Sequence, residues 1–140
     1  MPRAPRTERR VPSADPRGHL IRQHRGRAAE RLACAFLRHA GYEIERTNVR
    51  FPVGEIDIVA RQGGVLCFVE VRSTSSQQWG GAVGSITDRK RRHLIRAARW
   101  YLTRYRSMPP DSRFDVVAIE WQAERQPKVE LIQGAFDASR

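Results

Sequence analysis

The chain has 140 residues, a formal net charge of +11 and a sequence pI of about 11.2. With 40% hydrophobic and 29% charged residues it suits one packed domain, and its short apolar runs fall far below the ~20 residues that span a bilayer. No apolar leader is visible, and Cys34 and Cys67 are isolated and without metal-ligand spacing, so a disulfide framework is not expected and a reducing, cytoplasmic setting is.

Residues 1–22 form a basic stretch that is expected to be a disordered tail. Across residues 1–25, seven arginines against two acids, four prolines and almost no apolar side chain before Leu20 leave it nothing with which to build a core. Two readings of it stand side by side, a solvated extension and an arm that grips a phosphate backbone. Residues 23–140 are expected to form the folded domain.

The first helix is predicted over 24–40, where Ala29, Leu32, Ala33, Phe36, Leu37 and Ala40 make one apolar stripe and Gly41 ends it. Strands are predicted at 42–49, 55–60 and 65–72, the last two joined as an antiparallel hairpin by a turn carrying Gly63 and Gly64. Residues 73–86 are polar and glycine-rich and read as a mobile loop containing Trp79. A second helix follows at 88–105 with Thr87 as its N-cap, then strands at 114–121 and 128–133. The order α-β-β-β-α-β-β predicts an α/β fold with a mixed sheet.

Strand periodicity places Glu55, Asp57 and Val59 on one side of the second strand and Ile56, Ile58 and Ala60 on the other. In the third strand Glu70 and Arg72 share a face inside an otherwise apolar run, and Cys67 faces the Ile56 and Ile58 side. A carboxylate there is costly unless it is paired or binds a metal. Asp57 and Glu70 can converge at one end of the hairpin, and two carboxylates with a basic residue beside them suit Mg²⁺ or Mn²⁺ and a phosphodiester. The plainer alternative is a Glu70–Arg72 pair on a half-exposed strand.

Gly54-Glu55-Ile56-Asp57 followed by Phe68-Val69-Glu70-Val71-Arg72 resembles the core motif of the PD-(D/E)xK nuclease superfamily. Over most of residues 26–136 the chain is similar to the YraN-like family of small bacterial proteins, which resemble archaeal Holliday-junction resolvases. The shared positions run from Gly26 to Glu30, through Gly41-Tyr42, Arg46, Asn48 and Arg50, to Lys90-Arg91-Arg92, Arg113 to Val117 and Ala135-Phe136. The resemblance implies a restriction-endonuclease-like αβββαβ core and a metal-dependent DNA endonuclease acting on branched or structured DNA. It implies Asp57 and Glu70 as metal ligands, with the Val71 carbonyl as a third oxygen and Glu30 joining from the first helix. Glu55 is expected to be secondary or structural. A homodimer is also implied, because a junction offers two symmetric cuts.

The motif's usual lysine is here Arg72, which stays charged and cannot act as a base. Of the 26 basic residues only Lys90 and Lys128 are lysines, so a general drift toward arginine accounts for Arg72 as readily as loss of activity does. A catalytically inactive nucleic-acid-binding module that keeps the nuclease fold is therefore the alternative. On either reading Arg89, Lys90, Arg91, Arg92 and Arg96 are expected to contact phosphates. No membrane partner is expected.

Overall fold

A computed structural model describes residues 16–75 and 86–138, with side chains from residue 26 onward. The elements are α1 (Pro16–His39), β1 (Glu43–Phe51), β2 (Gly54–Gln62), β3 (Val65–Thr74), α2 (Asp88–Leu102), β4 (Asp111–Glu120) and β5 (Lys128–Phe136). They follow the predicted order. Residues 1–15 of the expected tail, and Trp79 with the rest of 76–85, lie outside the described residues.

The strands form one sheet in the order β1-β2-β3-β4-β5. All neighbours are antiparallel except β3 and β4, which run parallel. A parallel pair needs a crossover, and α2 is the helix within it. The result is a mixed α/β fold compatible with a restriction-endonuclease-like core.

Each helix covers one face. Ala29, Ala33 and Leu37 of α1 recur every fourth residue and pack on Ile58, Ala60, Cys67, Val69, Val117 and Ile119. On the other face Leu94, Ile95, Ala97, Ala98 and Tyr101 of α2 pack on Ile56, Val59, Leu66, Phe68 and Phe114. Thus Cys67 shares a face with Ile58, as expected, but not with Ile56. Alternation along β2 breaks at Asp57. Asn48 of β1, at the position across from it, has a left-handed backbone (φ 53°), which interrupts the regular pleat.

Several boundaries differ from expectation for local reasons. The first helix begins at Pro16, eight residues before 24, because proline's fixed φ suits a first helical position even where no apolar stripe marks one. It ends as predicted. Gly41 (φ 95°) lets Tyr42 N–H reach the Leu37 carbonyl at 2.9 Å and its own N–H reach Arg38 at 3.1 Å. Thr87 caps α2 by accepting the Lys90 N–H at 3.1 Å. That helix stops at Leu102, short of 105, where Thr103 Oγ1 donates to the Trp100 carbonyl at 2.6 Å. Strand β3 continues to Thr74, into the stretch expected to be loop, because β4 pairs with it that far.

One buried network ties the corner of the fold. Asp115 is fully buried and accepts from Tyr42 Oη at 2.8 Å, from Arg113 Nε at 2.8 Å and from Gly134 N at 2.9 Å. Arg113 also donates to Gln62 Oε1 at 2.7 Å. Asp115 sits where the β4–β5 register shifts, so its carboxylate satisfies donors that the irregular ladder leaves open.

Candidate metal centre

The β2–β3 ladder ends at the Ile58–Val69 pair. Continuing the register one step brings Asp57 opposite Glu70, at the point where the strands part. Asp57 closes part of the opening itself, with Oδ2 accepting the Val71 N–H at 2.9 Å. In an extended strand the N–H and C=O of one residue point to the same side, so the Val71 carbonyl is turned toward the same opening.

Glu70 is 3% exposed. Its Oε2 meets two cations, Lys90 Nζ at 3.5 Å and Arg72 Nη1 at 3.6 Å. Its Oε1 is buried and has no hydrogen-bond partner. Burial, and next the Asp57 charge, push the Glu70 carboxyl up to about 7. Burial also raises Asp57, while the Val71 N–H opposes the rise. A hydrogen bond between the two carboxyls lowers Asp57 and raises Glu70, so the pair is suited to sharing one proton. Two adjoining carboxyls, Glu70 buried and Asp57 half-buried, with a buried oxygen lacking a donor, call for either a shared proton or a cation.

The opening continues into a cleft of about 500 Å³ lined by Gly26, Arg27, Glu30, Asn48, Arg50, Asp57, Val71 and Ser73 among others. Glu30 lies in this cleft and is hydrogen-bonded to Asn48. Burial raises its carboxyl, with Asp57 and Glu55 adding to the rise. Among the described residues no group of three or more His, Cys, Asp or Glu is gathered closely enough to hold a metal ion. The compact carboxylate set is therefore Asp57 and Glu70, with Glu30 beside it in the cleft. Two carboxylates and a carbonyl still fit Mg²⁺ or Mn²⁺, which keep several waters and take substrate oxygens. Glu55 pairs across the strands with exposed Arg50 at 3.3 Å.

Helix α2 divides the predicted phosphate contacts into three groups. Arg89, Arg92 and Arg96 are exposed, and Arg99 continues the same stripe. Arg91 turns inward over the Phe136 ring, 5.7 Å from its centroid, beside a second cleft of about 550 Å³ lined by Asp88, Arg91, Arg92, Ala135, Phe136 and Asp137. Lys90 leaves this exposed row and reaches Glu70. Gly54 makes this docking possible, since a Cβ there would lie 2.9 Å from the His93 carbonyl oxygen.

Sequence reading missed Asn48, Arg27 and Arg50 as walls of the cleft, and the Lys90–Glu70 contact. Asn48 carries a usable signal, because asparagine tolerates the left-handed backbone better than most residues. The Lys90 contact joins residues 20 apart through tertiary packing and leaves no trace in periodicity.

No helix among the described residues is long and apolar enough to cross a membrane. The profile described as "Uncharacterised protein family UPF0102" matches residues 29–119. A UPF0102 protein of Symbiobacterium thermophilum is 45% identical over 113 residues, covering 81% of this chain and 96% of that protein. One from Cupriavidus taiwanensis is 48% identical over 118 residues, 84% of this chain and 86% of the other. One from Legionella pneumophila strain Philadelphia 1 is 38% identical over 117 residues, with 83% and 97% covered. The match takes in both strands of the carboxylate pair and the helix that brings Lys90 to it, and on these grounds the chain belongs to the UPF0102 family, the YraN-like proteins of bacteria.

Proposed function

We propose that the protein is a divalent-cation-dependent endonuclease of the PD-(D/E)xK kind that hydrolyses phosphodiester bonds in branched or structured DNA. The observation that carries this reading is the Asp57–Glu70 pair at the parting of β2 and β3, with buried Glu70 Oε1 lacking a donor. Asp57, Glu70 and the Val71 carbonyl would hold Mg²⁺ or Mn²⁺. When bound, such an ion supplies an activated water and offsets charge on the phosphate.

The chain's own residues do the rest. Asp57 is oriented by the Val71 N–H. Glu30, held by Asn48, faces the cleft from α1 and is placed to orient a water there. Arg27 and Arg50 flank the acidic floor and offer charge to phosphates on either side of the bond to be cut. The exposed arginines of α2 extend the basic surface for the DNA backbone. Two copies acting together suit a branched substrate with two symmetric cuts. The two cysteines are free and buried, in keeping with action in the cytoplasm.

The alternative, an inactive nucleic-acid-binding module, is favoured by one observation, Arg72 at the position of the motif's lysine. Incubation with Mg²⁺ or Mn²⁺ and branched, flapped and linear DNA separates the two. Cleavage by the wild type that disappears in Asp57→Ala supports the nuclease. Equal cleavage by Asp57→Ala refutes it. Salt-sensitive binding without cleavage, and without Mn²⁺ binding in calorimetry, establishes the alternative.

A further inference from the structure

We propose that Lys90, delivered by α2, is a catalytic residue of the carboxylate site, and that its ammonium contacts the phosphate undergoing hydrolysis. This rests on the nuclease reading and adds a residue from outside the sequence motif.

Three observations converge on it. Lys90 Nζ lies 3.5 Å from Glu70 Oε2, whereas its neighbours Arg89 and Arg92 face solvent. Its backbone is anchored, because Thr87 Oγ1 takes the Lys90 N–H at 3.1 Å, and Gly54 admits the helix against β2. Finally, 24 of the chain's 26 basic residues are arginines, yet the residue that α2 brings to the buried carboxylate is one of the two lysines. The other, Lys128, is exposed at the start of β5.

An ammonium is a compact, strongly hydrated charge with three donors. One donor directed at Glu70 leaves two for a phosphate oxygen or its attacking water. Arg72 meets the same Glu70 oxygen from within β3. Lys90 arrives from α2, which packs on the opposite face of the sheet from α1. The two cations thus approach the carboxylate from different elements, and Lys90 supplies the lysine that the motif position lacks.

A purely structural role, pinning α2 to the sheet, makes a different prediction, and two measurements on Lys90→Met separate them. Turnover of the best DNA substrate with Mn²⁺ is expected to fall about 100-fold, the loss typical of removing one transition-state contact, with KM changed less than about threefold. Arg72→Met is expected to lose less. Calorimetry without DNA is expected to show Mn²⁺ binding about tenfold tighter in Lys90→Met. That is the scale of removing a +1 charge about 5 Å from a +2 ion under water-like screening. Turnover within threefold of wild type overturns the proposal, as does Mn²⁺ binding that weakens along with turnover. If the wild type binds Mn²⁺ but cuts no DNA, the nuclease reading falls separately. The Mn²⁺ titration then decides for or against Lys90 beside a metal-binding Glu70, tightening supporting it and unchanged or weaker binding overturning it.

Discussion

Replacing Glu70 with glutamine is expected to stabilise the metal-free protein, and to do so only at neutral or alkaline pH. Glu70 is 3% exposed, and burial and Asp57 push its carboxyl from 4.5 to about 7. A carboxyl raised on folding favours the folded state while it is protonated. Its contribution is complete below pH 4.5 and is lost as the pH rises through about 7. A displacement of that size corresponds to about 3 kcal/mol, which the ionised protein forgoes at pH 8. Asp57, raised in the same direction, adds to the trend. Glu70→Gln keeps the shape and removes the charge. Urea unfolding in the presence of EDTA should show the variant more stable by about 2–3 kcal/mol at pH 8 and within about 0.5 kcal/mol of wild type at pH 5. An equal gain at both pH values would refute the electrostatic argument, and so would no gain at pH 8.

Gly54→Ala places a methyl group 2.9 Å from the His93 carbonyl. Overpacking of that kind is expected to cost about 1–3 kcal/mol in thermal or urea unfolding, and an unchanged midpoint would show that α2 is not tightly docked there. Asp115→Ala strips the partner from half-buried Arg113, from buried Tyr42 and from the Gly134 N–H and is expected to destabilise by about 3–5 kcal/mol. Loss below about 1 kcal/mol would mean that the network is incidental. If α2 lies along a DNA backbone, Arg92→Ala and Arg96→Ala should each reduce the slope of log affinity against log salt by about 1. A slope identical to wild type in both would place the DNA elsewhere.

The features that were legible in the sequence are those set by local rules. Ala29, Ala33 and Leu37 recur every fourth residue, and they are the buried face of α1. Gly41 and Thr87 cap their helices as their chemistry dictates, and Gly63 (φ 60°) turns the β2–β3 hairpin. A carboxylate within the apolar run around Glu70 marks the candidate site in the sequence. Less legible were features that arise from long-range packing. Ile56 lies on the α2 face although alternation assigns it to the other, because the pleat breaks between Asn48 and Asp57. Asp115, embedded in the apolar run of β4, signals a buried charge. Two of its partners, Tyr42 and Gly134, come from other parts of the chain. The early start of α1 had no amphipathic signal to announce it.

The parallel β3–β4 pair has a consequence for how the site is assembled during folding. The strands that carry Asp57 and Glu70 are joined by a two-residue turn, and hairpins of this kind close within microseconds. Lys90 lies on the crossover between β3 and β4, whose closure pays a larger loop entropy and is intrinsically slower. The two acids therefore meet first, with Arg72 beside them, and Lys90 arrives later, with α2. A chain halted between these steps carries the acid pair with Arg72 alone beside it, and so gains an incentive to dock the crossover. The groups proposed for catalysis thereby help to order the folding of the domain that holds them.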